Sequence, residues 1–584
     1  MGRPVNPAEK SFGNILQTVK KILQIVTLRI QFAPEVYHMD LSVIKNRIGM
    51  RGPRPTYWLT RFLLLRLLGA VYAVAFLAAI NQALPLIGSN GLLPVGDFLR
   101  RVGDALGPAA GFLRLPSIFW FGHSDGALLA AAWTGFLLSC IVAAGFANAL
   151  VMAVLWCLYM SFANVGQEWY GYGWEIQLLE TGFLAIFLCP LLDLRPFPKY
   201  APPMPVIWLF RWLIFRVMFG AGLIKLRGDD VWHNGTALYY HFETQPLPGP
   251  LSRWFHFLPR AVLQGGVWFN WLAELVAPLF VYWPRRARQL SGFVIIGLQV
   301  VLLLSGNLSF LNWLTIVPAL ACFDDGFWSK LLPRGWVRRA EAANARAEPS
   351  RAMTVTARVV AFVIGFLSIQ PILNMLSSRQ IMNTSFDPLN LVNTYGAFGS
   401  VGRERFNVVF EGTMGTAGQD REGIGKSKDQ QKRDQERDPE KGQAAGLDSV
   451  AFPGEHAKWK EYLYKGLPVD PDKRPPQVAP YHLRLDWQMW FAAMSTPAEY
   501  PWTFTLISKL LHNDPGAVGL FAGNPFPDRP PRYVRAVLYR YRFARPGNPG
   551  GHWWIRERLG LWIPAMSADD PRLVGMLKTA KAGR

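Results

Sequence analysis

The sequence predicts a polytopic α-helical membrane protein with about nine spans, followed by a soluble, β-rich C-terminal domain that we expect to be a β-sandwich. Three observations predict this fold class. Hydrophobic residues make up 51% of the 584 residues and charged residues only 17%, a balance that suits a chain surrounded by lipid. Long apolar runs recur as far as residue 376. Beyond residue 387 short stretches of alternating character replace them.

Nine apolar segments approach the length of about 20 residues that a helix needs to cross a bilayer. These candidate spans cover residues 57–83, 127–145, 148–165, 174–192, 204–226, 267–283, 290–305, 308–323 and 355–376. They divide the chain into a basic N-terminal segment, 1–56, a membrane domain, 57–380, and the C-terminal domain, 381–584. The N-terminal segment has no signal-peptide pattern, and its amphipathic stretch 15–32 suits a membrane surface.

The distribution of Lys and Arg predicts the orientation in the membrane. With the N-terminus in the cytoplasm, the cytoplasmic segments hold 20 of these residues. Segments 1–56, 193–203, 284–288 and 324–353 contribute 9, 2, 3 and 6. The opposite loops 84–126 and 227–263 hold 3 each. An odd number of spans then places the C-terminal domain on the non-cytoplasmic side, together with loop 227–263. The net charge of +21 is thus attributed to basic residues that flank the membrane spans, and no nucleic-acid partner is expected.

Strand-like alternation marks the C-terminal domain. We predict strands at 406–411, 459–465 and 533–543, a helix over 502–512 that follows a proline, and a shorter helix near Trp487. Residues 414–447 are rich in Gly, Gln and charged residues and offer little to bury, so they are predicted to be a disordered insertion.

Charged and polar side chains within or beside the spans are the first candidate functional residues, because an ionised group facing lipid is costly. We expect Glu180 to pair with Arg211 or Arg216 on the next span. The alternative is a polar cavity that binds a ligand. The candidate positions are Trp174, Glu175, Glu180, Arg211, Arg216, Lys225, Trp232, His241, Glu243, Gln245, Asn307 and Asn312.

The loop from Trp232 to Arg260 carries several potential metal ligands and three closely spaced prolines. The spacing of His233, His241, Glu243 and His256 matches no zinc signature, so hydrogen bonding is favoured over metal binding. The prolines predict an extended, re-entrant or surface-lying loop. The four cysteines form no CxxC pair, and we expect buried, unpaired thiols. No catalytic motif stands in a suitable setting, so no catalytic residue and no cofactor are assigned.

In the C-terminal domain, Arg484 and Asp486 are predicted to share one face of a strand and to form an ordering salt bridge. The neighbouring Trp487 and Trp490 are expected in the core.

Several long runs of residues are similar to one family. In the membrane domain these are GWE from Gly173, LLETGFL from Leu178, FGAGLIKLRGDDVW from Phe219, HFETQPLP from His241 and SGNLSFLNWL from Ser305. In the C-terminal domain they are NTYGAFGSV from Asn393, APYHLRLDWQMWFAAM from Ala479, NPFPDRPPRYVRA from Asn524 and WWIRERLG from Trp553. Together, over roughly residues 55–565, they resemble the lipase maturation factor family.

The resemblance implies a membrane-bound folding factor without enzymatic activity. In animal members such a factor resides in the endoplasmic reticulum and assists secreted lipases to reach an active, assembled state. The partners implied are a secreted lipase or another exported client, and membrane lipid. The composition suggests a GC-rich, bacterial genome, for which the inner membrane takes the place of the endoplasmic reticulum. The C-terminal domain is implied to engage clients, with candidate residues Asn393, Tyr395, Arg484, Asp486, Trp487, Arg532, Trp553 and Arg556.

Two alternatives remain open at this point. A helical bundle followed by a sheet domain distantly resembles the vitamin K-dependent carboxylase arrangement, which implies a membrane enzyme acting on a lipid-soluble cofactor or a polypeptide. A transporter is the other alternative, although no inverted repeat or broken helix pair is visible in the sequence.

Overall fold

The computed structural model describes residues 55–415 and 458–582. The predicted amphipathic stretch 15–32 and all but the first two residues of the predicted insertion 414–447 lie outside the described residues.

The described chain is mainly helical up to residue 376. The helices of this part are α1 (Trp58–Ile87), α2 (Val95–Leu106), α3 (Pro108–Arg114), α4 (Asp125–Ala144), α5 (Ala149–Val165), α6 (Gly173–Ile186), α7 (Met204–Arg227), α8 (Asp230–His233), α9 (Leu238–Thr244), α10 (Ser252–His256), α11 (Arg260–Trp271), α12 (Arg285–Ser305), α13 (Leu311–Ala319), α14 (Asp325–Trp328), α15 (Arg334–Ala345), α16 (Arg351–Leu367) and α17 (Ile369–Leu376).

Five helical segments of the described chain are long and apolar enough to cross a membrane. They are α1, α4, α7, α12 and the α16–α17 pair, Arg351–Leu376. All nine predicted segments contain helix, but the count of nine spans is not confirmed. Helix α5 has 17 residues and α6 has 14. Segment 267–283 is broken into the end of α11, a π turn at Leu272–Val276 and a 3₁₀ turn at Ala277–Phe280.

Small residues set the packing of α1 against α4. A Cβ atom added at Gly135 of α4 would lie 2.4 Å from Cε1 of Phe76. One added at Gly69 of α1 would lie 2.6 Å from the backbone nitrogen of Ala143. The two helices therefore approach more closely than side chains at these positions would allow.

The C-terminal domain contains one antiparallel sheet in the part of the chain that the structure describes. Its strands are β1 (Arg405–Thr413), β2 (Lys460–Glu461), β3 (Tyr533–Phe543) and β4 (Trp554–Met566), in the order β2-β1-β3-β4. The register pairs Val408 with Leu538 and Tyr539 with Arg558. Strand β3 has the predicted bounds, whereas only two residues of the predicted 459–465 strand join the sheet.

The predicted β-sandwich is not confirmed, because helices rather than a second sheet pack on this sheet. Helix α18 (Arg484–Ala492) packs against β1, and α19 (Trp502–Leu511) packs against β3. Two further helices are α20 (Pro515–Val518) and α21 (Pro571–Ala582). Val408, Phe410, Val537 and Leu506 are completely buried between these layers. An apolar sheet face needs a covering layer, and either kind of element can supply it.

The segments that connect the membrane helices fall into two groups at opposite ends of the bundle. At one end Lys199 pairs with Glu348, and Arg285 pairs with Asp324. At the other end Asn90 donates to Asp514, and Arg253 donates to the backbone of His552. The C-terminal domain therefore lies at the same end as the loops between α1 and α4 and between α7 and α11.

The four cysteines are free. Cys189 and Cys322 are buried, as expected, but Cys140 and Cys157 are exposed on the outside of the bundle. Their apolar sequence context did not distinguish burial in protein from exposure to lipid.

Candidate functional site

The seam between the membrane helices and the C-terminal domain contains two buried carboxylates. Glu180 of α6 forms an ion pair with Arg216 of α7. Its Oε2 also accepts hydrogen bonds from the Tyr395 hydroxyl at 2.8 Å and from the Asn393 backbone at 3.1 Å. Arg216 in turn donates to the Asn393 carbonyl at 2.7 Å. A charge removed from water needs this degree of compensation, and here it fixes segment 393–395 against two membrane helices.

Of the two partners predicted for Glu180, Arg216 is the one that pairs with it. Arg211 donates instead to the backbone oxygen of Ala321 at 2.9 Å and to the hydroxyl of Tyr57 at 2.7 Å.

Glu175, one helical turn before Glu180, holds the C-terminal domain itself. Arg484 Nη1 lies 2.9 Å from Glu175 Oε1, and both side chains are almost fully buried. Tyr159 donates to the other carboxylate oxygen. The Arg484 guanidinium also lies 3.4 Å from the centroid of the Tyr170 ring, where a cation is attracted by the aromatic face.

The predicted salt bridge between Arg484 and Asp486 on a strand is wrong. Both residues belong to helix α18, where positions two apart point to different sides. Asp486 accepts hydrogen bonds from the backbone nitrogens of Gly466 at 2.6 Å and Leu467 at 2.9 Å. Burial raises the pKa of Asp486 to about 6.

The loop between α7 and α11 is clamped against the sheet domain. Arg405, at the start of β1, donates to the carbonyls of Glu243, Gln245 and Pro246. Gln245 donates to the Ser305 carbonyl at 2.7 Å. The proline-rich segment, predicted to be extended and re-entrant or surface-lying, bends at residues 245–247, forms a single bridge from Pro248 to Gly306, and is buried between the two domains.

Asn307 joins the same clamp from the end of α12. Its Oδ1 accepts from the backbone nitrogens of Val478 at 2.8 Å and Ala479 at 2.9 Å. Its Nδ2 donates to the carbonyls of Pro248 and Pro476. One asparagine therefore links the membrane bundle, the proline segment and the C-terminal domain.

Two histidines of this loop, His241 and His256, pack against aromatic rings. Glu243 accepts from the Phe543 backbone at 2.6 Å, and its Oε2 lies 3.7 Å from Nε2 of His256. Burial raises the pKa of Glu243 and lowers the pKa of His256 to about 4. His241 packs edge-on against Phe398, whereas His233 is exposed. Among residues 55–415 and 458–582, no three His, Cys, Asp or Glu side chains form a group suited to a metal ion.

A cavity of about 510 Å³ lies between the membrane helices and the C-terminal domain. Eight of the predicted candidate residues line it: Trp174, Lys225, Trp232, His241, Gln245, Asn312, Tyr395 and Trp487. Lys225 is neutralised in the wall by Glu274, which also accepts from Asn270 at 3.1 Å. A polar cavity was the predicted alternative to structural ion pairs; the structure contains the ion pairs, and the cavity beside them is mainly apolar.

Other lining residues were not selected from the sequence. Gln177, Gln299 and Thr315 face one another across α6, α12 and α13, with Gln177 donating to Thr315 at 3.1 Å and Asn312 donating to Gln299 at 2.8 Å. Uncharged polar residues within apolar spans were the available signal, because such groups need partners inside a bilayer.

The remaining predicted client-facing residues are spread over the sheet domain. Arg532 is exposed just before β3. The Trp553 ring lies under the guanidinium of Arg253, 3.6 Å from its centroid, and Arg556 pairs with Glu461 at 2.7 Å. Trp553 and Arg556 thus support the domain and its contact with the loop.

Strand β4 was not predicted as a strand, although Arg556, one of the predicted client-facing residues, lies on it. It is an edge of the sheet, and Ile555, Leu559 and Leu561 on it are 56%, 44% and 51% exposed. A long edge strand with apolar side chains offers backbone donors and acceptors to another chain.

A bundle of membrane helices, to which a small sheet domain is fixed by buried ion pairs, defines a polytopic membrane protein with an extramembrane C-terminal domain. The profile described as "Lipase maturation factor transmembrane domain" matches residues 59–330, and "Lipase maturation factor C-terminal domain" matches residues 449–564. The chain belongs to the lipase maturation factor family.

Individual relatives match over most of their length. The chain is 44% identical to lipase maturation factor 1 of Bos taurus, over 88% of this chain and 90% of the relative. It is 42% identical to lipase maturation factor 1 of Homo sapiens, over 88% and 89%. It is 28% identical to lipase maturation factor 2 of Homo sapiens, over 89% and 84%. No solved structure matches the chain.

Proposed function

We propose that this protein is a membrane-bound maturation factor that helps an exported lipase, or a related exported protein, to fold and assemble without changing it covalently. The relatives named lipase maturation factor, aligned over almost nine-tenths of the chain, support this function. The exposed apolar side chains of β4 indicate the surface on which the protein would bind its client. An extended segment of an incompletely folded client adds to the edge of β4 that no described strand pairs with, through backbone hydrogen bonds, and covers Ile555, Leu559 and Leu561.

The orientation follows from the charge distribution. The described segments 193–203, 284–288 and 324–353, which are rich in Lys and Arg, belong to the bundle end opposite the C-terminal domain, which supports a cytoplasmic position for that end. The C-terminal domain then faces the compartment that receives exported chains, which is the endoplasmic reticulum lumen in a eukaryote and the periplasm in a bacterium. The finer count of nine spans, which includes α5, α6, α13 and segment 267–283, gives the same orientation.

Co-expression with a secreted lipase tests the proposal. The specific activity of the secreted lipase, measured per mass of lipase antigen, is expected to rise when the wild-type chain is present, while the intact mass of the lipase stays the same. Leu559→Lys is expected to lower this gain severalfold, because a charge on the edge strand opposes pairing with another strand.

Leu113→Lys provides the matched control. Leu113 is 70% exposed on α3, far along the chain from β4, and its replacement is expected to leave the gain unchanged. An unchanged specific activity with the wild-type chain, or a covalent mass change in the lipase, would contradict the proposed function. Equal gains with Leu559→Lys and Leu113→Lys would contradict the role of β4.

A further inference from the structure

The walls of the 510 Å³ cavity are mainly apolar, and two groups of lining side chains have polar atoms without a hydrogen-bond partner within the described chain. Leu298 and Leu302 of α12, Leu311 of α13 and Val217 of α7 contribute aliphatic surface. A volume of this size falls in the range of small-molecule sites. It is too small for a phospholipid with two acyl chains.

The first group of polar side chains forms a belt in the middle of the bundle. The belt consists of Gln177, Gln299, Asn312 and Thr315. The amide nitrogens of Gln177 and Asn312 donate within the belt. Their amide oxygens have no hydrogen-bond partner within the described chain, although each residue is only 1% exposed. A buried acceptor without a donor is costly, so the belt favours a ligand with a hydrogen-bond donor, such as a hydroxyl group.

The second group of polar atoms belongs to two tryptophan side chains. Trp174 of α6 and Trp487 of α18 lie in edge contact with ring centroids 4.8 Å apart, and both line the cavity. Their indole nitrogens also have no acceptor within the described chain. These two N–H groups suit an oxygen acceptor on a ligand that packs against the rings.

Most charges in the wall are already paired. Lys225 is paired with Glu274, and Glu404 is paired with Arg540. Arg405 has no carboxylate partner, but its terminal nitrogens are bound to three backbone carbonyls, its Nε alone lacks an acceptor within the described chain, and the residue is only 1% exposed. A cationic ligand would leave its charge without a counter-ion, and an anionic ligand would face only this buried guanidinium, whereas a neutral ligand avoids the cost of an unpaired charge in a largely apolar space.

Water alone fits the cavity poorly. The volume would hold roughly 17 waters at their share of liquid volume, and each buried water needs about three polar partners. The belt and the two indoles supply only a few such partners, and Lys225, Gln245 and Arg405 in the same wall are already bound to other groups of the protein. An apolar chain that packs against the aliphatic wall is more favourable than water in contact with the same surface.

From the belt, the indoles and the neutral apolar wall, we propose that the cavity binds a neutral, single-chain lipid that carries hydroxyl groups. Its hydroxyls donate to the amide oxygens of Gln177 and Asn312, and its chain lies along α12 and α13. This site is separate from the client surface on β4, so the two can be tested independently.

Native mass spectrometry of the full chain in detergent tests the proposal with three probes of equal chain length. These are 1-monooleoylglycerol, oleate and 1-octadecene. One 1-monooleoylglycerol is expected to bind per chain, about 30-fold more tightly than 1-octadecene, as two hydrogen bonds of ordinary strength predict. Oleate is expected to bind more weakly than 1-monooleoylglycerol, because Lys225 in the described wall is already paired and Arg405 is only 1% exposed and bound to backbone carbonyls.

Asn312→Leu keeps the side-chain size and removes the acceptor. It is expected to weaken 1-monooleoylglycerol binding about fivefold and to leave 1-octadecene binding unchanged. Trp313→Leu is the control, since Trp313 is the next residue, is 42% exposed and does not line the cavity. Thermal midpoints near that of the wild type show that both variants fold, and Leu302→Trp, which fills the cavity, replaces Asn312→Leu if that variant does not fold.

The proposal is overturned by any of three results. Equal affinity for all three probes would indicate only partition of apolar chains onto the protein. Tighter binding of oleate would indicate an anionic ligand, and no bound probe would exclude a lipid site of this kind.

Discussion

Replacing Arg484 tests how strongly one buried contact holds the two domains together. Arg484→Met leaves the Glu175 carboxylate buried with an uncompensated charge, which is expected to cost about 3–5 kcal/mol of unfolding free energy. The free energy can be measured by denaturant unfolding of the purified protein in detergent.

An exposed ion pair provides the control. Arg403→Met removes the partner of Asp229, but Arg403 is 47% exposed, so the loss is expected to stay below about 1 kcal/mol. In the double variant Glu175→Gln with Arg484→Met, the loss should be smaller than the sum of the two single losses. Additive losses would show that the two side chains do not interact.

Asp486 predicts a pH dependence of stability. Burial raises its pKa from an ordinary 3.8 to about 6, so the folded chain holds this proton more tightly than the unfolded chain does. The associated stability is complete below about pH 4 and is lost as the pH rises through about 6. Asp486→Asn removes this titration while keeping an oxygen acceptor for Gly466 and Leu467.

The difference in unfolding free energy between wild type and Asp486→Asn isolates this group, because His482, whose pKa burial lowers to about 4, remains in both proteins. From pH 4 to pH 7 the wild type is expected to lose about 2 kcal/mol relative to the variant. A difference that does not change with pH would contradict the burial of an ionisable Asp486.

At the scale of elements, the contact between α1 and α4 depends on Gly135. Gly135→Ala places a methyl group against the Phe76 ring and is expected to destabilise the protein by about 1–3 kcal/mol, which the thermal midpoint in detergent will report. Gly126→Ala on the same helix is the control, since its nearest neighbour is the Ser124 hydroxyl at 3.9 Å. Equal midpoints for the two variants would show that α1 and α4 are not closely packed at Gly135.

The sequence located most helices and strands. The errors in their bounds and in their packing partners have one cause. Hydropathy identified every apolar segment, yet it did not show that segment 267–283 breaks at Glu274 and Pro278 or that α6 is short. Alternation located β1 and β3, but it could not decide what covers the sheet. Periodicity predicts which side of an element is apolar, but it does not predict which other element buries that side.

At the scale of the whole molecule, the sidedness of the two ends can be tested with single cysteines in a cysteine-free background. Arg529→Cys and Gly122→Cys lie at the end that holds the C-terminal domain, and Lys330→Cys lies at the opposite end. A membrane-impermeant maleimide added to intact cells, for a protein in the bacterial inner membrane, is expected to label the first two after the outer membrane is opened. Lys330→Cys should be labelled only after the inner membrane is permeabilised, and labelling of all three from one side would contradict the proposed orientation.

The sequence by itself determined the membrane character, the change to a sheet domain after residue 387, the family, and the ionisable residues that needed partners. Only the tertiary structure decided which partners they have: Arg216 for Glu180, Arg484 for Glu175, and backbone amides for Asp486. It also brought Gln177, Asn312, Trp174 and Trp487 around one cavity. Composition and local periodicity follow from the solvent that each segment meets, whereas a pair such as Glu175 and Arg484 joins residues 309 positions apart along the chain and depends on how whole elements pack.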